Sequence, residues 1–329
     1  SDLLGGVDPR GHAIADATDA ALLGALAIAG REEAERWGSE RAHVTFVAMG
    51  RYGGRECSYA SDADVIALHE AVGGASDSEA AASATAIVNR VKKLLGSATS
   101  QLGIVVDLDL RPEGKNGPMS RTIASHEEYA QRWASTWERQ AAVRARPIGS
   151  SDLDERARAL FESMAYREVS ESEVRDIRLL KARMENERLP RGSEPARHVK
   201  LGPGGLSDVE WTIQLIQMRH GARLPALRTP STTQAIAVAR DAGLLAAPDA
   251  EILLNAWDLA TRIRAGNTLA TGRMSGVKLD VVPRDSAELS ALAAILGYGS
   301  GGLTALEEDW LRAARQARNV MERAFWEQQ

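Results

Sequence analysis

Two aspartates, Asp62 and Asp64, stand two residues apart at the start of a short apolar segment, residues 65–68 (VIAL). Residues i and i+2 of an extended chain point to the same face, so the two carboxylates would project together. The loop at residues 50–54 (GRYGG) precedes them, and its glycines would let the backbone turn tightly beside a ligand. Paired carboxylates of this kind hold Mg²⁺ against nucleotide phosphates, so the pattern predicts metal-assisted chemistry on a phosphate group.

A second acidic segment supports this prediction. In residues 104–110 (IVVDLDL), an extended conformation would place Asp107 and Asp109 on one face. Carboxylates that are buried without a partner are costly, and a bound metal would remove that cost. Two simpler interpretations remain open at this point. In the first, this face of the strand is simply solvated, as in many antiparallel sheets. In the second, the pair Asp62 and Asp64 lies in an ordinary surface turn.

The elements predicted to position these residues form an α+β fold. In the first half of the chain, the periodicity predicts helices at 13–37, 78–95 and 125–137, and strands at 43–49, 65–68, 103–110, 119–123 and 142–148. In the second half it is helical throughout, with a Pro- and Gly-rich loop at 189–205 and helices at 151–165, 171–189, 206–220, 231–243, 248–271, 285–296 and 304–327. We therefore predict a mixed-sheet catalytic domain at 1–149 and a helical bundle domain at 150–329 that docks the substrate.

The composition limits the classes of function. The chain has 329 residues, of which 44% are hydrophobic, which is enough for a large core. The net charge of −5 argues against a nucleic-acid-binding protein, because such proteins usually carry a basic excess. The single cysteine, Cys57, excludes an internal disulfide and fits a reducing cytoplasm. Neither a signal peptide nor an apolar stretch of about 18 residues is expected, so we predict a cytoplasmic protein without a membrane span.

Four motifs extend the pattern around the acids. They are MGRYGGRE (49–56) with YASDAD (59–64), VDLDLRPEG (106–114), WERQ (137–140) with RAR (144–146), and GGLSDVE (204–210). In this order they resemble the motifs of the glutamine synthetase adenylyltransferases, a family of the nucleotidyltransferase superfamily. The resemblance covers roughly residues 43–220, and a weaker similarity continues over 227–245. It implies a nucleotidyltransferase-type mixed sheet with flanking helices, followed by an all-α bundle.

The resemblance implies a metal site built from three aspartates. Asp62, Asp64 and Asp107 would hold two Mg²⁺ ions and act as the catalytic carboxylates. The third acidic position of the family falls on Asp107, whereas Asp109 stands where many members carry Arg. Whether Asp109 also binds metal stays open.

ATP is the substrate that the resemblance implies. Its phosphates are expected over Gly53 and Gly54 and beside Ser61. Arg111 and Arg144 are candidates for binding the triphosphate, because Arg makes bidentate contacts with phosphate oxygens. The alternative for each is an ion pair with the acidic cluster. Three further arginines near the site have the same two interpretations: Arg51, Arg55 and Arg146.

The implied reaction transfers AMP from ATP to a tyrosine hydroxyl of glutamine synthetase. Proteins of the family carry two such domains, of which one attaches AMP and the other removes it by phosphorolysis. The segments SYASD (58–62) and TWERQ (136–140) favour the attaching, C-terminal domain, and the final Glu-Gln-Gln is typical of a natural C terminus. The start at Ser1, without Met, indicates an excised fragment of a longer protein. The adenylyl-removing domain is the nearest alternative, and a PII-type signalling protein is an expected partner.

Two alternatives belong to other classes. A catalytically silent regulatory module would bind ATP and Mg²⁺ without turnover, but it would not need the three aspartates. A transferase that acts on RNA ends or on a small molecule would share those acids. The acidic net charge argues against RNA, and the motifs beyond the acids argue against both.

Two further features have both a structural and a functional interpretation. Ser207 and Glu210 have the spacing of a helix-capping box. Alternatively, the Gly-Gly turn before them brings Asp208 and Glu210 close to the active site or to a protein partner. Trp133 and Trp137 lie four residues apart on one predicted helix, and we expect core positions, with base stacking as the alternative.

Overall fold

A computed structural model of the chain describes residues 9–59, 61–96, 103–299 and 302–327. Ala60 of the YASDAD segment lies outside the described residues. The two chain ends, on which the expectations of an excised fragment and of a natural C terminus depend, also lie outside them. The α+β fold class is confirmed, because a small mixed sheet with flanking helices is followed by helices. The helices are α1 (Pro9–Trp37), α2 (Gly50–Gly53), α3 (Asp77–Leu95), α4 (Ile123–Arg132), α5 (Thr136–Ala142), α6 (Asp152–Ala165), α7 (Glu171–Glu187), α8 (Leu206–His220), α9 (Thr232–Asp241), α10 (Ala247–Thr271), α11 (Ser286–Ile295) and α12 (Gly302–Met321).

The sheet is built around one long antiparallel pair. Its strands are β1 (Ala42–Ala48), β2 (Ala63–Ala71), β3 (Val106–Asp107), β4 (Ser120–Thr122) and β5 (Arg146–Pro147). β1 pairs antiparallel with β2 on one side and with β5 on the other. β3 and β4 both pair parallel with β2, so they follow one another along its remaining edge. This arrangement places the start of β2 directly beside β3.

Both faces of the β1–β2 pair are buried, which explains why these strands are almost continuously apolar. Phe46 and Val65 lie in one apolar cluster with residues of α1 and α3. Ile66 and Leu68 lie in a second cluster, which also contains Phe161 of α6 and residues of α7, α8 and the end of α12. The second cluster therefore continues across residue 150, and the predicted division into domains at 149/150 stays a prediction.

The predicted acidic strand at 103–110 is much shorter than expected. Only Val106 and Asp107 pair with β2, and the chain turns at Asp109, whose side chain is 49% exposed. Val105, on the same predicted face, is also exposed. The solvated-face interpretation is therefore correct for Asp109.

The predicted helix at 125–137 is two helices, and its tryptophans are not core residues. α4 ends at Arg132. A capping box, in which Ser135 donates its N–H to Glu138 (2.8 Å), begins α5. Trp133 falls in the break and is 72% exposed, and Trp137 is 41% exposed. The expectation that both tryptophans lie in the core is wrong, because the break removes the shared face on which it depended. The strand predicted at 142–148 is also mostly turn and is paired only at β5.

α1 is the one helix of the described residues that is long and apolar enough, by length and composition, to cross a membrane. This corrects the expectation that no stretch has these properties. Core helices of globular proteins pass the same test, and α1 packs Leu22 into the cluster shared with α3. It also buries Asp19, which accepts hydrogen bonds from Tyr52 Oη (2.6 Å) and Arg146 Nη1 (2.8 Å). The absence of a membrane span stays a prediction.

A buried charged cluster fixes the Gly-Gly turn that precedes α8. Asp208 is 1% exposed and accepts hydrogen bonds from Lys181 Nζ (2.6 Å), Arg318 Nη1 (3.2 Å) and the Gly204 backbone N–H (2.7 Å). The helix begins two residues earlier than a capping box with Ser207 as N-cap requires, and its N-cap, Gly205, makes no side-chain cap. The capping-box prediction is therefore wrong, and Asp208 holds α7, α8 and α12 together.

Gly204 is required by this packing, which gives a stability test. Its φ is +73°, and a Cβ placed on it would lie 1.8 Å from the carbonyl oxygen of Ala314 on α12. We expect Gly204→Ala to lower the free energy of unfolding by about 3 kcal/mol or more, because strain and overlap add. Urea unfolding followed by circular dichroism would measure this.

Gly24→Ala is the matched control. Gly24 lies within α1 with nothing within 4 Å of its Cβ position, so this variant should gain about 0.5–1 kcal/mol. Equal stability of the two variants would contradict the packing described for the turn.

Candidate active site

The three predicted acids meet where β2 begins. Asp64 stands opposite Asp107 in the parallel β2–β3 register, and Asp62 lies one residue before β2. Neighbouring strands are about 4.8 Å apart, so the paired positions are adjacent. Asp62 is exposed, whereas Asp64 is partly buried.

Burial and charge act together on Asp64. Its pKa is raised to about 6, first by burial and then by the negative charges of Asp107 and Asp62, while Lys200 acts in the opposite direction. The ionised carboxylates therefore repel one another in a poorly solvated place. A cation placed between them would favour their ionised forms.

The carboxylates do not form a complete ligand set by themselves. Within the described ranges, no three His, Cys, Asp or Glu side chains are placed as a ready metal-binding group. Asp107 Oδ1 accepts a hydrogen bond from the backbone N–H of Asp109 (2.6 Å), which orients it toward its own loop. Mg²⁺ is commonly held by one or two carboxylates together with substrate phosphates and water, so an incomplete set is compatible with it.

A cavity of 280 Å³, here called the acid cavity, opens at Asp62 and Asp64, whereas Asp107 is not among its lining residues. It is lined by Gly50, Arg51, Tyr52, Ser61, Asp62, Asp64, Arg144, Lys200, Glu210, Gln214 and Arg264. The predicted residues Ser61, Asp62, Asp64 and Arg144 are therefore brought together, and Glu210 of the Gly-Gly motif joins them. Sequence analysis missed Gln214 and Arg264. For Gln214, the spacing i, i+4 from Glu210 on α8 was the available signal.

Gly53 and Gly54 do not line the acid cavity. A Cβ on Gly53 would lie 1.8 Å from the carbonyl oxygen of Arg144, and one on Gly54 would lie 2.7 Å from that of Pro230. These glycines are thus required by the close approach of the protein's own backbone. Gly50 lies on the cavity instead, with φ +53° and its Cβ position 3.1 Å from Asp64 Oδ2.

Arg111 is used by its own loop. Its Nη1 donates to the carbonyl of Leu108 (2.9 Å) and its Nε to that of Gly117 (3.2 Å), and Asp109 lies 3.8 Å away. Lys115 makes a closer ion pair with Asp109 (3.3 Å). Arg111 does not line the acid cavity, so the structure places it as a brace for residues 108–117 rather than beside the predicted phosphates.

Arg144 borders the cavity, but its hydrogen bonds are made with the protein. Nη2 donates to Glu56 (2.6 Å), Nη1 to Thr232 Oγ1, and Nε to the carbonyl of Gly50 (3.0 Å). Glu56 also accepts the backbone N–H of Thr232 (2.6 Å) at the start of α9. Both charged side chains are about 95% buried or more. The ion-pair interpretation therefore describes Arg144, with Glu56 as its partner.

Two family models match the chain. A model described as glutamate-ammonia ligase adenylyltransferase matches residues 11–161. A second, described as GlnD PII-uridylyltransferase, matches residues 178–325. Together they cover both the sheet with the acid cavity and most of the helices that follow.

Curated proteins named bifunctional glutamine synthetase adenylyltransferase/adenylyl-removing enzyme are similar to the chain. One from Streptomyces coelicolor is 44% identical over 324 residues, which are 97% of this chain and 32% of the relative. One from Bifidobacterium longum subsp. infantis is 44% identical over 326 residues, 96% of this chain and 30% of the relative. One from Mycolicibacterium smegmatis is 40% identical over 287 residues, 86% of this chain and 28% of the relative. The chain thus spans about a third of the length of the relatives it matches.

The buried Arg144–Glu56 pair gives a second stability test. Arg144→Gln would leave the Glu56 carboxylate buried without a cation, so we expect the free energy of unfolding to fall by about 3–5 kcal/mol. Arg55→Gln in the same loop is the control, because Arg55 pairs with Asp16 at an exposed position and should contribute less than about 1 kcal/mol. If urea unfolding gave the two variants equal stability, Arg144 would not brace the loop and would be free for a ligand.

Proposed function

This chain belongs to the glutamate-ammonia ligase adenylyltransferase family, and from that premise we propose that it transfers AMP from ATP to a tyrosine hydroxyl of glutamine synthetase. The observation that carries the proposal is the pairing of Asp64 with Asp107 in adjacent strands, with Asp62 beside them at the acid cavity. The names of the relatives support glutamine synthetase as the protein substrate.

The three carboxylates are the proposed ligands of two Mg²⁺ ions. Asp62 and Asp107 both raise the pKa of Asp64, so a divalent cation would relieve a repulsion that the fold builds in. When bound, magnesium supplies charge neutralisation at the α-phosphate and at the leaving pyrophosphate. The parallel pairing of β2 with β3 keeps Asp64 and Asp107 in register at the acidic end of the sheet.

The proposed transfer is a single displacement at phosphorus. The tyrosine oxygen forms a bond to the α-phosphorus while the bond to the pyrophosphate oxygen breaks. Asp107 accepts the hydroxyl proton, and the products are AMP–tyrosine and pyrophosphate. The Ser61 hydroxyl lies on the cavity and is positioned by a hydrogen bond from the Ser58 N–H (2.8 Å), so its own proton is free to contact the nucleotide.

The direction of the reaction and the partners are part of the proposal. The TWERQ segment at 136–140 favours attachment of AMP, while the relatives' names include an adenylyl-removing activity, which is the second candidate. We assign docking of glutamine synthetase to the helical part at 150–329. A PII-type signalling protein is the proposed regulator, and the cytoplasm is the proposed location; nucleic acid and membrane are not proposed partners.

The first test mixes the chain with glutamine synthetase, Mg²⁺ and ATP labelled at the α-phosphate, and measures the mass of the synthetase. We expect a gain of one AMP on a tyrosine, and no gain with Asp64→Asn, whose fold should be retained. Release of AMP as ADP from modified synthetase in the presence of phosphate would assign the removing activity instead. If neither product formed, the transferase proposal would be overturned, and a binding module would remain.

The roles of the two neighbouring acids give a separate test. Asp107 stands in register with Asp64, whereas Asp109 is exposed and paired with Lys115. We expect Asp107→Asn to slow transfer about 100-fold or more, because it removes both a metal ligand and the proton acceptor. Asp109→Asn should change the rate less than about threefold. The reverse order would show that the third acid has been assigned to the wrong residue.

A further inference from the structure

Besides Arg144, three cationic side chains line the acid cavity together with Asp62 and Asp64. Arg51 lies on it from α2, Lys200 from the loop before α8, and Arg264 from α10. Two of these three residues come from the helical part of the chain. Arg51 is among the arginines that the sequence analysis offers for the triphosphate, whereas Lys200 and Arg264 are not.

Arg51 is held firmly but not completely satisfied. Its Nε donates to the carbonyl of Glu56 (3.0 Å), and its guanidinium lies 5.0 Å from the centre of the Trp257 ring. Its Nη1 is buried and has no hydrogen-bond partner. Burial, and next the charge of Arg264, lower its pKa to about 10, so its environment disfavours a cation without a counter-ion.

Arg264, on α10, shows the same pattern of one satisfied and one unsatisfied nitrogen. Its Nε donates to Asp280 (2.6 Å), while its Nη1 is buried without a partner. A buried donor that lacks a partner costs about 1–3 kcal/mol, and native proteins rarely keep one without a reason. Two such donors on like-charged groups in one small cavity indicate a site for an anion.

Lys200 adds a third cation to the two guanidinium groups. No carboxylate of the described residues lies within ion-pairing distance of its ammonium group, although it lowers the pKa of Asp64 at longer range. It also lines a neighbouring cavity of 470 Å³, which shares Glu210 with the acid cavity. Lys200 thus stands where the two cavities adjoin.

We propose that Arg51, Lys200 and Arg264 form a polyphosphate-binding cluster that takes the β- and γ-phosphates of a nucleoside triphosphate in the cavity that Asp62 and Asp64 also line. The proposal rests on the proposed nucleotidyl transfer and adds the residues that hold the leaving pyrophosphate. Guanidinium groups donate to phosphate oxygens in a fixed geometry, and lysine follows as a point charge. Arg111 and Arg144 do not compete for this role, because their donors are used by the protein.

Calorimetric titration of the full chain in Mg²⁺ with ATP, inorganic tripolyphosphate and AMP tests the cluster. We expect Lys200→Gln and Arg264→Gln each to weaken binding of ATP and of tripolyphosphate about tenfold, since each removes one charged contact. Binding of AMP should change less than about twofold. Arg262→Gln, on the same helix as Arg264 but bonded to the carbonyl of Leu296, is the matched control and should bind all three as the parent does.

The outcomes separate the cluster from the proposed function. If the parent chain binds neither ATP nor tripolyphosphate, nucleotidyl transfer itself is overturned. If the parent binds ATP and both variants bind it as tightly, only the cluster is overturned. The cluster is also overturned if the variants lose affinity for AMP by the same factor as for ATP. Arg264→Gln also breaks the pair with Asp280, so its thermal unfolding is compared with that of Lys200→Gln, which breaks no ion pair of the described residues.

Discussion

The buried ion pair between Arg144 and Glu56 is the interaction on which the site depends. It joins the glycine-rich loop after β1 to the start of α9, because Glu56 accepts both the guanidinium and the Thr232 N–H. Arg144 also donates to the carbonyl of Gly50, so the pair helps to hold this loop against the helical part of the chain, where Arg51 stacks on Trp257. The acid cavity is therefore a product of the contact between the two parts, with aspartates from the sheet part and cations from both parts.

A second buried cluster sets the position of the helical wall. Asp208 fixes the Gly-Gly turn to α7 and α12 through Lys181 and Arg318, and α8 starts at that turn. Lys200 precedes the turn, and Glu210 and Gln214 follow it on the face of α8 that lines the cavity. The placement also depends on the backbone at Gly204, where φ is +73° and a Cβ would overlap the carbonyl oxygen of Ala314.

Local sequence pattern predicted those parts of the site that depend on local geometry. The spacing of Asp62 and Asp64, the strands around them and most helices follow from periodicity, and Asp107 came from its motif. The glycines and Arg144 were placed beside the ligand instead of inside the protein, because their partners are distant in sequence. Arg264 was missed for the same reason: nothing near it in the chain indicates that α10 reaches the sheet.

The acidic and basic side chains that line the acid cavity argue for one kind of ligand. Burial, and next the charges of Asp107 and Asp62, raise the pKa of Asp64, and the guanidinium groups of Arg51 and Arg264 keep buried donors without partners. A simple anion would satisfy the cations but repel the acids, and a simple cation would do the reverse. A metal–triphosphate complex offers its metal to the aspartates and its terminal phosphates to the arginines and Lys200. It therefore relieves both repulsions at once. The electrostatics of the site thus favour the same substrate that the motifs imply.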